Sequence, residues 1–203
     1  MRESASGYTH SENITVFIEE VTAEAGISLN EIDAVAVSKG PGSYTGLRIG
    51  VSTAKGLCFA LQKPLIAVNT LLALANNFLT SNHQPPATNL LCPMLDARRM
   101  EVYCAVYDST LNEVEQTAAL IIEKNSFAEV LKSNKVYFFG SGAQKCKPVL
   151  QHPDAVFVDD VHSSATGMIS LSEKKFAEKQ FEDVAYFEPF YLKDFVAIKP
   201  REN

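Results

Sequence analysis

The stretch Ser38-Lys-Gly-Pro-Gly-Ser-Tyr-Thr-Gly-Leu-Arg-Ile-Gly50 holds the residue types that chemistry at a loop would need. A short apolar run, Ala34–Val37, feeds Gly40, Pro41, Gly42 and Ser43, and a helical pattern opens by Thr45. A glycine turn between strand and helix leaves backbone N–H groups free to face an anion. The spacing is not that of a Walker A loop, because Gly46 is followed by Leu47-Arg48 and not by Lys-Ser/Thr. It is not G-x-G-x-x-G either, and a structural turn explains the loop equally well. Ser43 and Thr45 read as N-caps of the helix that follows.

Two further turns are candidates for anion binding. Asp96-Ala-Arg98-Arg99-Met-Glu101 has no glycine to let backbone approach a phosphate. Its arginines could hold an anion, yet Asp96 and Glu101 stand ready to pair with them, so the reading is a salt-bridged or partner-contacting turn. Phe139-Gly-Ser-Gly-Ala143 sits at a strand-to-helix position and passes either as a nucleotide turn or as a plain tight one. His10, His83, His152 and His162 are scattered, and none has a second histidine within a helical turn, so the H-E-x-x-H type of metal site is not expected. No local Ser/His/Asp arrangement supports a nucleophile, and no catalytic residue is assigned.

The elements that position these residues follow from periodicity. The helix from about Thr45 to Leu61 has one stripe in Leu47, Val51, Ala54, Cys58 and Leu61. A second stripe, Gly46, Gly50, Thr53, Leu57 and Ala60, is small enough for another helix to come close. A helix buried within one larger domain would show the same two faces. Thr9-His10-Ser11-Glu12 is a capping box opening a helix with Ile14, Phe17, Ile18, Val21 and Ala25 on one stripe, stopped at Gly26. Strand Leu65–Val68 and helix Leu71–Leu79 follow, and Ser81–Asn89 with Pro85-Pro86 is the domain boundary. Beyond it the strands Leu90–Leu95, Val102–Tyr107 and Val114–Ile122 read as an antiparallel meander. Helix Phe127–Leu131, strand Val136–Phe139, helix Ala143–Leu150, strand Ala155–Val158 and helix Ser164–Phe181 then resume alternation, before an aromatic tail Tyr186–Phe195. The class is α/β, with lobes at residues 1–84 and 85–203.

The chain has 203 residues, 46% of them hydrophobic and 21% charged, as in ordinary globular proteins. No apolar run approaches the roughly 20 residues of a membrane helix. Cys58, Cys92, Cys104 and Cys146 form no C-x-x-C pair and read as reduced core thiols of a cytoplasmic protein. A net charge of −6 argues against wide contact with a phosphate backbone.

Gly40-Pro-Gly-Ser-Tyr-Thr-Gly-Leu-Arg-Ile-Gly50, with Ala54-Lys-Gly56, resembles the signature of the bacterial TsaB family, also called YeaZ. His10-Ser-Glu12, Asp96-Ala-Arg98 with Glu101-Val-Tyr103, and Pro189-Phe-Tyr-Leu192 match in order, so the resemblance covers nearly the whole chain. It implies a two-lobed actin-like ATPase, ribonuclease-H-like fold. It also implies a non-catalytic scaffold without cofactor, which pairs with the paralogous carbamoyltransferase TsaD, joins the ATPase TsaE in a larger complex and forms a homodimer in isolation. That complex places threonylcarbamoyl on an adenosine beside the tRNA anticodon, and this subunit would meet tRNA only indirectly. The shared pairing face implies interface residues His10, Glu12, Phe17, Gly46, Arg48, Gly50 and Lys55. The family's opening strands have no counterpart before the first helix, so the first lobe is expected to lack about 25–30 residues of hairpin-linked strand. The rival expectation is an active enzyme, an actin-like kinase or transferase or a peptidase.

Overall fold

In the computed structural model residues 1–3, 10–81 and 85–193 are described, with the side chains of residues 10–12 outside the description. Helix α1 spans His10–Ala25, and Gly26 ends it at a φ of +68°, where glycine has no steric penalty. Strand β1 (Val35–Gly40) pairs in parallel with β2 (Leu65–Asn69), joined by helix α2 (Tyr44–Leu61). Asn69 then caps α3 (Thr70–Thr80), its Oδ1 accepting from the N–H groups of Leu71 and Leu72 at 2.8 and 3.2 Å.

The second sheet has the order β5-β4-β3-β6-β7. Its antiparallel meander is β3 (Leu90–Asp96), β4 (Glu101–Tyr107) and β5 (Glu113–Ile121). Parallel strands β6 (Val136–Phe139) and β7 (Ala155–Val158) extend the other side, joined through α4 (Ala128–Leu131) and α5 (Ala143–Cys146). Central strand β3 is buried along Leu90–Met94, as a strand covered on both faces must be. One face packs Cys92, Met94, Cys104 and Phe138 beneath α4 and α5. The other receives α3, with Leu71, Leu74 and Phe78 against Leu91 and Phe139 and the Phe78 and Phe139 rings stacked at 4.3 Å. Ala73 on α3 packs with Ile66 and Val68 of β2, so this one helix is shared by both sheets.

Three helical expectations change. The predicted helix Ala143–Leu150 stops at Cys146, because Pro148 cannot donate to a continuing helix. The predicted Ser164–Phe181 helix is a 3₁₀ turn, Ala165–Met168, followed by α6 (Ile169–Ala177). Gly167 explains the tight start, since a Cβ there would lie 2.2 Å from the Ala73 carbonyl oxygen on α3. Thr45 lies inside α2 and does not cap it; Ser43 is the N-cap, its Oγ accepting from Gly46 N–H at 3.4 Å. Thr9, the other expected cap, lies outside the described residues.

The C-terminal segment returns to the first sheet instead of staying with the second. Lys175 Nζ donates to the Ala67 carbonyl at 2.9 Å, and Glu182 bridges to Leu65 on the edge of β2. Val184 and Phe187 then pack on the cluster of Val37, Val51, Ala54, Cys58 and Leu65. All four cysteines are free and buried. Among the described residues, no helix is long and apolar enough to cross a membrane.

Candidate functional site

The glycine loop faces a strap formed by the chain's own tail. Gly40 has a φ of +114°, and a Cβ there would lie 2.7 Å from the Phe190 carbonyl oxygen. Phe190 N–H donates to the Lys39 carbonyl at 2.7 Å, and the Tyr191 ring lies 5.0 Å from that of Tyr44, the first residue of α2. Burial and the neighbouring Tyr44 push the Tyr191 hydroxyl above its ordinary pKa. Arg48 stands over the Tyr44 ring at 5.6 Å, a cation–π arrangement. The close approach at Gly40 is therefore filled by protein backbone.

Lys55, expected at a partner interface, grips this strap. Its Nζ donates to the carbonyls of Phe187 at 2.9 Å and Ala185 at 3.2 Å. The aromatic tail thus lies across the first lobe. Sequence reasoning left its destination open, because nothing local in Glu188-Pro-Phe-Tyr marks where an extended segment docks.

Helix α1 packs on α2. Phe17, Gly46 and Gly50 are half-buried, and Arg48 is exposed. His10 opens α1, while the placement of its side chain and that of Glu12 lies outside the described residues. The outward side of α2 carries Thr45, Arg48, Ser52, Gly56, Phe59 and Ala60, all exposed, with Phe59 at 82%. A Cβ on Gly56 would meet nothing within 4 Å, and one on Gly50 would reach Val37 Cγ2 only at 3.9 Å. Phe59 was not singled out from the sequence; its signal is that it falls on neither apolar stripe.

The β3–β4 turn pairs differently from expectation. Asp96 Oδ1 takes Lys145 Nζ at 2.5 Å and the Arg98 N–H at 2.8 Å, and Glu101 pairs with Lys193 of the strap. The Lys145 hydrogen bond holds the Asp96 carboxyl below its usual range. The guanidinium groups of Arg98 and Arg99 bond neither carboxylate. Both residues are exposed, at φ values of +72° and +50°.

The turn at Gly140–Gly142 is packed solid. A Cβ on Gly140 would lie 2.4 Å from the Met94 carbonyl oxygen, and one on Gly142 would lie 2.8 Å from Leu95. These glycines let α5 approach β3, where Gly142 N–H donates to Met94 O at 3.0 Å. Among the described residues, no group of three His, Cys, Asp or Glu side chains could hold a metal. Burial pushes the Cys146 thiol up to about 11, which makes it an inert core group.

Residues 4–199 match the protein-family model described as TsaD, tRNA N6-adenosine threonylcarbamoyltransferase. The tRNA threonylcarbamoyladenosine biosynthesis protein TsaB of Escherichia coli K12 is 31% identical over 94% of this chain and 83% of its own. TsaB of Haemophilus influenzae is 30% identical over 94% of this chain and 83% of its own. The tRNA N6-adenosine threonylcarbamoyltransferase of Staphylococcus haemolyticus is 53% identical over a shorter stretch, 30% of this chain and 18% of its own. Among solved structures, YeaZ from Pseudomonas aeruginosa superposes with a TM-score of 0.77 at 25% identity, covering 93% of this chain and 87% of that one. That likeness carries the two-lobed actin-like fold.

Proposed function

The chain belongs to the TsaB family, and from that membership we propose a non-catalytic subunit of tRNA threonylcarbamoyladenosine biosynthesis. It works in the cytoplasm by pairing with a TsaD-type catalytic paralogue and holding that enzyme in an active conformer, a population shift and not a chemical step. The same face serves self-pairing, so homodimer and heterodimer compete, and a TsaE-type ATPase joins the larger assembly. The first lobe comprises residues 1–84 together with the returning residues 165–193, and the second lobe the five-stranded sheet.

One observation carries the pairing reading: the outward side of α2 is small and exposed around an 82% exposed Phe59. Small residues let a second helix approach closely, and an exposed phenylalanine supplies the apolar area such a contact buries. The non-catalytic reading is supported by the two glycine turns, each filled by the protein's own backbone, and by Asp96 and Glu101, each taken by a lysine. Phe17, Gly46, Arg48 and Gly50 keep their proposed interface roles with His10 and Glu12. Lys55 acts instead by fastening the strap beside the interface helix.

The test is co-purification with the catalytic paralogue from the same genome, read by light scattering on a sizing column. The wild type is expected to form a one-to-one complex. Phe59→Glu should weaken it at least about tenfold, because a charge would be buried against a partner, and should leave the free chain a folded monomer, with its circular dichroism spectrum unchanged and its homodimer lost. Gly50→Leu should weaken pairing by overpacking. Absence of a complex, or normal pairing by Phe59→Glu, refutes the proposal.

A further inference from the structure

The hairpin between β3 and β4 presents a second surface that the pairing helices do not use. Arg98 and Arg99 are consecutive, exposed and both left-handed, a conformation uncommon for residues other than glycine. Three hydrogen bonds fix the tip: Ala97 N–H to Glu101 O at 3.1 Å, Glu101 N–H to Arg98 O at 3.1 Å, and Arg98 N–H to Asp96 Oδ1 at 2.8 Å. Strain held in place by its surroundings is a feature of functional loops. The carboxylates of the same turn are committed elsewhere. Asp96 is taken by Lys145, whose Nζ also donates to the Glu101 carbonyl at 2.7 Å, and Glu101 is taken by Lys193. Among the described residues, neither guanidinium has a salt bridge or a side-chain hydrogen bond. The tip therefore carries two guanidinium groups outside the ion pairs of the turn, Arg98 acting on Asp96 through its charge alone, on a chain of net charge −6.

We propose that the Arg98–Arg99 tip contacts the phosphodiester backbone of RNA, the tRNA brought to the assembled enzyme. The inference rests on the subunit reading above and adds to it a narrow, direct tRNA contact. Guanidinium forks match phosphate oxygens in bidentate fashion, which suits two adjacent arginines with all donors free. A tip of two residues needs no wide basic face, so it is compatible with the acidic balance of the chain. An acidic protein partner fits less well. The pairing helices lie in the other lobe, and the exposed side of α1 there carries Glu19, Glu20 and Glu24, with Arg2 on the last two.

The experiment is fluorescence anisotropy of a labelled full-length tRNA titrated with the complex of this chain and its paralogue, across about 50–300 mM salt. Arg98→Ala/Arg99→Ala should weaken binding about tenfold near 100 mM salt. It should also lower the slope of log K against log salt by about 1.4–1.8, two phosphate contacts' worth. Arg98→Lys/Arg99→Lys should keep the slope and lose part of the affinity. Arg98→Gly/Arg99→Gly suits the positive φ values and repeats the loss in a fold without local strain. Unchanged affinity and slope overturn the inference. So does a loss of subunit pairing with tRNA binding intact, which would make the tip a protein contact. Should the wild type fail to pair, the subunit reading falls, and the same titration with the chain alone decides the RNA contact: arginine-dependent binding upholds it, and none overturns it.

Discussion

Gly40→Ala tests whether the glycine loop exists to admit the protein's own tail. The residue sits at a φ of +114°, and the added methyl would lie 2.7 Å from the Phe190 carbonyl oxygen and 3.2 Å from Leu47 Cδ1. Backbone strain at such a φ costs about 1–3 kcal/mol. The clash is with the carbonyl of Phe190, a residue held in place by its own N–H donating to the Lys39 carbonyl, so overpacking adds about 1–3 kcal/mol. The total is about 2–6 kcal/mol. At about 2–4 °C per kcal/mol for a chain of this size, the melting temperature should fall by about 4–24 °C. Gly42→Ala is the internal control, since its Cβ would meet only the Leu47 side chain at 3.9 Å and its φ is not left-handed. The assay is thermal unfolding by circular dichroism, with limited proteolysis mapped by mass spectrometry to follow residues 186–193. Gly40→Ala should expose that strap to cleavage and Gly42→Ala should not. Equal melting temperatures for the two variants would refute the packing argument, and a destabilised Gly40→Ala with a protected strap would refute the strap's part in it.

Gly167→Ala should destabilise by about 2–4 kcal/mol without any contribution from φ, because its Cβ would lie 2.2 Å from the Ala73 carbonyl oxygen; a melting temperature within 1 °C of wild type would contradict this. Lys55→Met frees the carbonyls of Ala185 and Phe187 and should cost about 1–2 kcal/mol with faster proteolysis of the strap; a strap as resistant as wild type would sink the assignment. Burial works to raise the Asp108 pKa, but hydrogen bonds from Thr110 and Asn112 outweigh it and lower the value from 3.8 to about 2. A lowered folded pKa gives stability that is present above pH 3.8 and lost as pH falls towards 2, so Asp108→Ala should flatten the acid limb of stability there, and an unchanged limb would count against it. The four buried thiols should resist Ellman's reagent until denaturant is added; rapid labelling of the native chain would show that one is exposed.

Much of the fold is legible in the sequence because local patterns carried it. Val136–Phe139 and Ala155–Val158 are strands with the expected bounds, each a short β-branched and aromatic run between turn residues. The apolar stripe Leu47, Val51, Ala54 and Cys58 is buried as its helical spacing requires. The helices that came out shorter than expected were ended by events that periodicity does not register: Pro148 after α5, and the contact of Gly167 with a helix almost a hundred residues earlier. The site was legible in composition and illegible in pairing. Asp96, Glu101, Arg98 and Arg99 stand close in sequence, and adjacency suggested that they neutralise one another. The partners were Lys145 and Lys193, 49 and 92 residues away.

From its residues alone the chain determined an α/β class, the strand–glycine loop–helix unit and the motifs of its family, since these rest on periodicity and on short-range backbone requirements. Tertiary structure decided what the glycines are for, where the tail goes and which charges remain unpaired. Gly40, Gly140 and Gly142 read either as openings for a ligand or as plain turns, and backbone from distant parts of the chain fills them. Lys55 read as a partner contact, yet it binds the strap. Each of these outcomes depends on which remote segment occupies the adjacent space, and that is fixed only when the whole chain is packed.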